Sequence, residues 1–139
     1  MCFTIVNREI ARKEVKHRRM RVWKRFNLVV ENGRTIAYKA PIRGTLYELD
    51  SEVKVNLRRF RPHMYGPMKR ELRANDPVGR IEYGIHSYST REQAMKRRHI
   101  HEVVVECWLP IGTRYYINPI KHEIVSTQLN VGPMPDPRK

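Results

Sequence analysis

The stretch Gly84–Trp108, GIHSYSTREQAMKRRHIHEVVVECW, holds three of the chain's six histidines and one of its two cysteines. His86, His99, His101 and Cys107 are the right number and type of ligand for a tetrahedral zinc ion. The spacing argues against it. There is no Cys-x-x-Cys or His-x-x-x-His, and His99 and His101, two apart at a helix end, point in different directions. Cys107 shares a strand face with Val103, Val105 and Leu109, where a thiol behaves as a small hydrophobe. No metal and no cofactor is expected. Cys2 raises a second chemistry, because removal of Met1 would expose a thiol and an amine together as nucleophile and base. Its companions, a positioned histidine or carboxylate and an oxyanion site, are not identifiable in the sequence, and a packing role in an apolar first strand is the simpler reading. His86, between Ile85 and Ser87, is read as a strand histidine bonded to backbone or to a helix start, with a pocket role as the alternative.

The charge distribution carries more information. Among 139 residues, 28 Lys+Arg stand against 14 Asp+Glu, a formal charge of +14. Such a surplus calls for an anionic counterpart: nucleic acid, an acidic protein or an anionic membrane. No apolar run approaches the roughly 18–20 residues of a spanning helix, and Phe3-Thr4-Ile5-Val6 is far short of a signal peptide. Two cysteines make no disulfide framework, so a reducing cytoplasm is expected, that of the host if a phage encodes the chain, with no membrane partner. The segment Asn7–Arg25 concentrates Arg8, Arg12, Lys13, Lys16, Arg18, Arg19, Arg21, Lys24 and Arg25 against only Glu9 and Glu14. A second basic stretch, Asn56–Gly79, interleaves Arg58, Arg59 and Arg61 with Phe60, His63 and Tyr65, a composition suited to stacking on unpaired bases. No helix-turn-helix, RNP or zinc-finger pattern is present, so sequence-specific reading has no support.

The elements that must position these groups follow from periodicity. The length suits one domain with one core, over residues 1–131, followed by a proline-rich tail, 132–139. Ala11, Val15 and Val22 recur near helical spacing and predict a basic N-terminal helix or arm. From Met20 the period becomes two: Met20, Val22, Lys24, Phe26, Leu28 and Val30 predict a strand face. Asn32-Gly33 supplies the two positive-φ residues of a hairpin turn, and the chain returns through Thr35–Tyr38. Thr45–Val55 predicts a short polar strand or a turn and strand. Pro62, Pro67 and Pro77 make a long helix untenable in the second basic stretch, which is read as a loop. Arg80–Tyr88 is a strand. Ser89 with Glu92, or Thr90 with Gln93, forms a capping box for a helix running to about His99, whose Ala94 and Met95 must rest on a sheet. Val103–Leu109 predicts a buried strand, Pro110-Ile111-Gly112 its turn, Tyr115–Ile117 a short strand, and Val125, Thr127, Leu129 and Val131 the alternation of a last one. The expectation is an α+β domain: a small, mostly antiparallel sheet of about five to six strands with one short packed helix.

Ala37–Glu48 (AYKAPIRGTLYE), Tyr83–Ala94 (YGIHSYSTREQA), Val103–Asn118 (VVVECWLPIGTRYYIN) and Glu123–Val131 (EIVSTQLNV) occur in that order. Together they resemble a family of short phage, prophage and bacterial proteins that often begin Met-Cys. Its members carry a Gly-aromatic-His-Ser-aromatic block before a helix, a valine-rich strand ending Pro-x-Gly-Thr-x-Tyr-Tyr, and a final Val-Ser strand. Ile85 departs from it, standing where the family has an aromatic. The resemblance spans about two-thirds of the chain and excludes Asn7–Arg25. It implies a phage context and no established activity. A Ser-x-Ser/Thr strand before a helix and a late Glu-x-Val strand are also similar to features of the ADP-ribosyltransferase fold. That resemblance implies Tyr38 or His86, Tyr88 and Glu123 around a nicotinamide dinucleotide.

The reading that results is a small basic accessory protein without catalysis. It would engage nucleic acid, DNA or RNA, or a host nucleoprotein, through Arg12, Lys13, Lys16, Arg18, Arg19, Arg21, Lys24 and Arg25, Arg58, Arg59 and Arg61, and Lys96, Arg97 and Arg98. The alternatives are a small ADP-ribosyltransferase-like enzyme built on His86, Tyr88 and Glu123, and a binder of an acidic host protein.

Overall fold

The computed structural model describes residues 3–5, 12–40, 46–48, 52–54, 60–64 and 79–133. In chain order the strands are β1 (Phe3–Ile5), β2 (Lys13–Glu14), β3 (Met20–Glu31), β4 (Arg34–Lys39), β5 (Leu46–Glu48), β6 (Glu52–Lys54), β7 (His63–Met64), β8 (Gly79–Ile81) and β9 (Ile85–Tyr88). After the helix α1 (Arg91–Arg97) come β10 (Glu102–Leu109), β11 (Arg114–Ile117), β12 (Glu123–Ser126) and β13 (Gln128–Val131). Every pairing among them is antiparallel. The predicted α+β class with one short helix holds, but five to six strands was too few. A ten-stranded sheet runs β2-β11-β12-β9-β3-β10-β13-β6 with β4 and β5 branching from β3, and β1-β8-β7 form a second sheet of three.

The twelve-residue β3 organises the larger sheet. On one side it pairs with β10 from Met20↔Leu109 to Asn27↔Glu102. On the other side the sheet forks. Trp23 pairs with Tyr88 of β9, whereas Asn27 to Glu31 pair with β4. The β3–β4 hairpin turns at Asn32 (φ 52) and Gly33 (φ 75), the turn predicted from Asn-Gly.

Because side chains alternate along a strand, β3 presents two different faces. Val22, Lys24 and Phe26 point into the principal core with Tyr38, Tyr47, Val105, Cys107, Leu109, Ile124 and Leu129. Trp23 and Arg25 point the other way, where α1 lays Ala94 against Tyr88 and Val104. Beside α1, Phe3, Ile5, Phe60 and Ile81 pack on Tyr116 and Val125. Burying large apolar side chains of this kind is worth about 1.5–3 kcal/mol each.

Several expectations are corrected in detail. Residues 12–19 hold no helix: Lys13–Glu14 is a strand, Val15 N–H donates to Thr113 O at 3.0 Å and the chain bends at His17–Arg18, while the rest of the predicted N-terminal helix or arm, residues 7–11, lies outside the described ones. Arg80–Tyr88 is two strands in two sheets. They break at Gly84, where a Cβ would stand 2.3 Å from Val125 Cγ2 and 3.2 Å from the Phe60 ring. The last strand is also two, broken at Thr127. Of the two capping boxes, Thr90 supplies the cap, its Oγ1 accepting from Gln93 N–H at 3.2 Å. The helix stops at Arg97, two residues before His99. The proline-rich tail beyond residue 133 lies outside the described residues.

Candidate functional site

Two places concentrate chemistry. The first is the basic surface. Arg12, Lys13, Lys16, Arg18, Arg19 and Arg21 are all exposed. Among the described residues, no carboxylate forms an ion pair with any of them. The backbone explains the display: Val15 is buried and bonded on both sides, to Thr113 and Gly112, so the residues around it are turned outward along the β10–β11 turn. Arg12, Lys13, Glu14, Lys16, Arg114 and Tyr115 line an open groove of about 590 Å³. Farther along, Arg19 lies over the Trp108 ring at 4.5 Å from its centroid, and Arg21 over Trp23 at 5.0 Å. These are cation–π distances.

The remaining predicted contacts divide. Lys96, Arg97 and Arg98 are exposed at the end of α1, with Lys96 3.5 Å from Glu92. Arg61 is exposed, while Arg58, Arg59 and Tyr65 lie outside the described residues. Lys24 and Arg25 are corrected: both are buried, because the period of β3 carries them into the two packed faces. Phe60 is also corrected. It sits 5.7 Å from the Tyr116 ring in a core cluster, so it is not available for stacking on a base. Trp23, Trp108 and Arg114 were not singled out in the sequence. A signal existed for the first: Arg21 and Trp23 occupy alternate positions of the strand predicted from Met20.

The second place is a polar cluster on β9 and β12. Register sets Glu123 opposite Tyr88 and Val125 opposite His86, so His86, Tyr88 and Glu123 share the face that α1 covers. His86 Nδ1–H donates to Glu123 Oε1 at 3.1 Å. Burial lowers the His86 pKa, opposed by the Glu123 hydrogen bond, so the ring is held toward its neutral form. Its Nε2 is buried and without a hydrogen-bond partner among the described residues, as is Ser87 Oγ. Burial raises the Tyr88 pKa. Next to the pair, Ser89 Oγ and His122 Nδ1 are 3.3 Å apart, and Ser89 N–H donates to His122 O at 2.8 Å. Tyr38, the other residue the transferase resemblance pointed to, is in the core on the opposite face, stacked 4.9 Å from Phe26.

His99 and His101 are exposed at the turn after α1, His101 with φ 71, and Cys107 is buried with its thiol pushed up to about 11 by burial. Among the described residues no three His, Cys, Asp or Glu side chains gather as a metal site. No helix among them is long and apolar enough to cross a membrane. Cys2 lies outside the described residues.

No family model, curated protein or solved structure matches this chain.

Proposed function

We propose that the protein binds nucleic acid, free or within a nucleoprotein, through the exposed run Arg12–Arg21. The observation that carries this reading is the absence of ion-pair partners among the described residues: six cations in ten positions are held outward with no carboxylate matched to them. Solvated protein surfaces normally mix signs; a stripe of six exposed cations against the single carboxylate of Glu14 stores repulsion that a polyanion relieves. Six phosphate contacts give a log–log salt slope of roughly −4 to −5, from about −0.7 to −0.9 per phosphate. The similarity to short phage proteins supplies the context, in which the nucleoprotein belongs to the host and interference with defence is the purpose.

The test is retention of labelled DNA and RNA between about 0.05 and 0.5 M salt, with Arg12, Lys16, Arg18 and Arg19 all changed to Gln in a folded variant. The expected result is tight retention at low salt, a steep salt slope of the size above, and loss of binding in the variant. Unchanged retention by the variant overturns the reading. A complex from host lysate that survives nuclease selects an acidic protein instead.

A second reading, transfer of an ADP-ribosyl group from a nicotinamide dinucleotide, is favoured by one observation: His86, Tyr88 and Glu123 do share one face of β9 and β12. It ranks second because Tyr88 packs against Ala94 of α1 and the Glu123 carboxylate is engaged by His86. Thermal stabilisation by millimolar dinucleotide, lost in Glu123→Gln, is its expected signature. No shift removes it.

A further inference from the structure

Resting on the nucleic-acid reading, we propose that the β3–β10 face bearing Trp23 and Trp108 is a stacking platform for unpaired bases, so the preferred ligand is single-stranded nucleic acid. Five observations converge on it. Register places Arg21 directly opposite Trp108 and Trp23 directly opposite Glu106, so the two indoles are diagonal neighbours on one face. Both indoles are only partly buried. Trp23 borders the cluster under α1, whereas Trp108 belongs to none of the buried clusters among the described residues. Each indole has an arginine from the unmatched basic run above it, Arg19 on Trp108 and Arg21 on Trp23. Lastly, Asn130, the cross-strand partner of Trp108 on β13, has a buried side-chain oxygen with no hydrogen-bond partner among the described residues.

Geometry separates single strands from duplex. Diagonal side chains on a sheet stand about 7–8 Å apart, whereas bases in a duplex strand rise about 3.4 Å and hide their faces in the stack. Two indoles at the wider spacing suit bases that have left the stack. The arginines now resting on the rings are the groups that would follow the backbone: a base takes the place of each guanidinium on its indole, and the guanidinium moves to a phosphate. The charge needed for affinity and the π-surface needed for strand selection thus lie on consecutive odd positions, 19, 21 and 23, of one segment. Stacking on aromatic side chains is tolerant of base identity, which agrees with the lack of any sequence-reading motif.

The experiment uses the full chain with a fluorescein-labelled twelve-nucleotide mixed-sequence single strand and the matching duplex, followed by anisotropy and by indole emission. The single strand is expected to bind more tightly and to quench the indoles. Trp108→Ala is expected to weaken single-strand binding about fivefold or more, Trp108→Phe to retain most of it, and duplex binding to change little in either. Trp108→Phe, with a melting curve to confirm folding, keeps the test decisive if Trp108→Ala fails to fold. Equal or tighter duplex binding, or an unquenched indole signal with the single strand bound, overturns the platform. If the arginine variant of the preceding section still loses binding in that case, the nucleic-acid reading stands without it. If neither oligonucleotide binds at low salt, both fall.

Discussion

Lys24 and Arg25 are neighbours on β3, both cationic and both buried, and the fold treats them in opposite ways. Arg25 enters the α1 face. There its guanidinium donates to Glu102 Oε1 at 3.3 Å and to the Arg97 carbonyl at the end of the helix, while Glu102 also accepts from His99 N–H at 2.8 Å. Lys24 enters the principal core. Its Nζ donates to the His86 carbonyl at 2.6 Å, close to where the β3–β9 ladder stops, and its other neighbours are the Phe26 and Tyr47 rings at 5.6 and 5.7 Å. The Cys107 thiol faces it too but is neutral across the same range. Burial accordingly lowers the Lys24 pKa to about 8. The contrast follows the chemistry of the two side chains. A guanidinium cannot discharge in a protein, so its burial requires a carboxylate and carbonyls; an ammonium can, so it tolerates a site with one carbonyl. Buried charge needs partners, and the packing element opposite decides whether they exist.

The largest effect is expected on the Arg25 side. Arg25→Met removes the partner of a carboxylate that is itself buried, and it frees the carbonyl that ties the end of α1 to the sheet. Breaking one side of a buried pair costs about 3–5 kcal/mol, to be read from urea unfolding. Adding Glu102→Gln should recover much of the loss, since a neutral amide oxygen still accepts from His99 N–H. A single-variant loss below about 1 kcal/mol, the range of a surface ion pair, would show that Arg25 and Glu102 are not the fixed pair the contrast requires.

Much of this arrangement was legible in the sequence, and the part that was not has definite causes. The Asn32-Gly33 turn, the Thr90 cap and the valine-rich β10 depend on neighbours within a few residues, and all three are where the pattern put them. Val125 to Val131 shows the limit. An unbroken alternation placed Val125 with Leu129 and Val131 on one face, but the chain bends at Thr127, whose N–H and Oγ1 bond Arg114 backbone. Val125 therefore packs with Phe3 and Phe60 while Leu129 and Val131 join the opposite core. The hydrophobic period survives a bend that reverses the faces, so periodicity alone cannot report it. Lys24 and Arg25 failed differently. Counted as charge they belonged to the basic run; the even position of Lys24 turns it into the core, whereas Arg25 shares the odd face of Arg21 and is buried only because α1 and Glu102 cover that end of it. The His86–Glu123 contact bridges 37 residues, and no local pattern encodes it.

A smaller effect is expected on the Lys24 side, and its sign is distinctive. The ammonium titrates near pH 8 in the folded chain and near 10.5 when unfolded. Between those values the unfolded chain holds a proton that the folded chain has released, so stability rises with pH above about 8. The rise is cut off from above. Cys107 and Tyr47 are held to about 11 and about 12 in the fold against 9.0 and 10.0 unfolded, so from about pH 9 ionisation of the unfolded chain's Cys107 offsets the Lys24 gain and levels the profile, and from about pH 10 Tyr47 turns it downward. What remains is a gain of about 1 kcal/mol between pH 8 and 9, since full release of one proton is worth about 1.4 kcal/mol per pH unit. Lys24→Met should erase that rise, fall from about pH 9 where the parent is level, and melt higher than the parent at pH 7, where the parent still carries the buried charge. Urea unfolding at half-unit pH steps from 7 to 10 resolves all three features. A flat parent profile across pH 8–9, or a variant less stable at pH 7, would mean that Lys24 is solvated or paired after all, and the two cations of β3 would then be held alike.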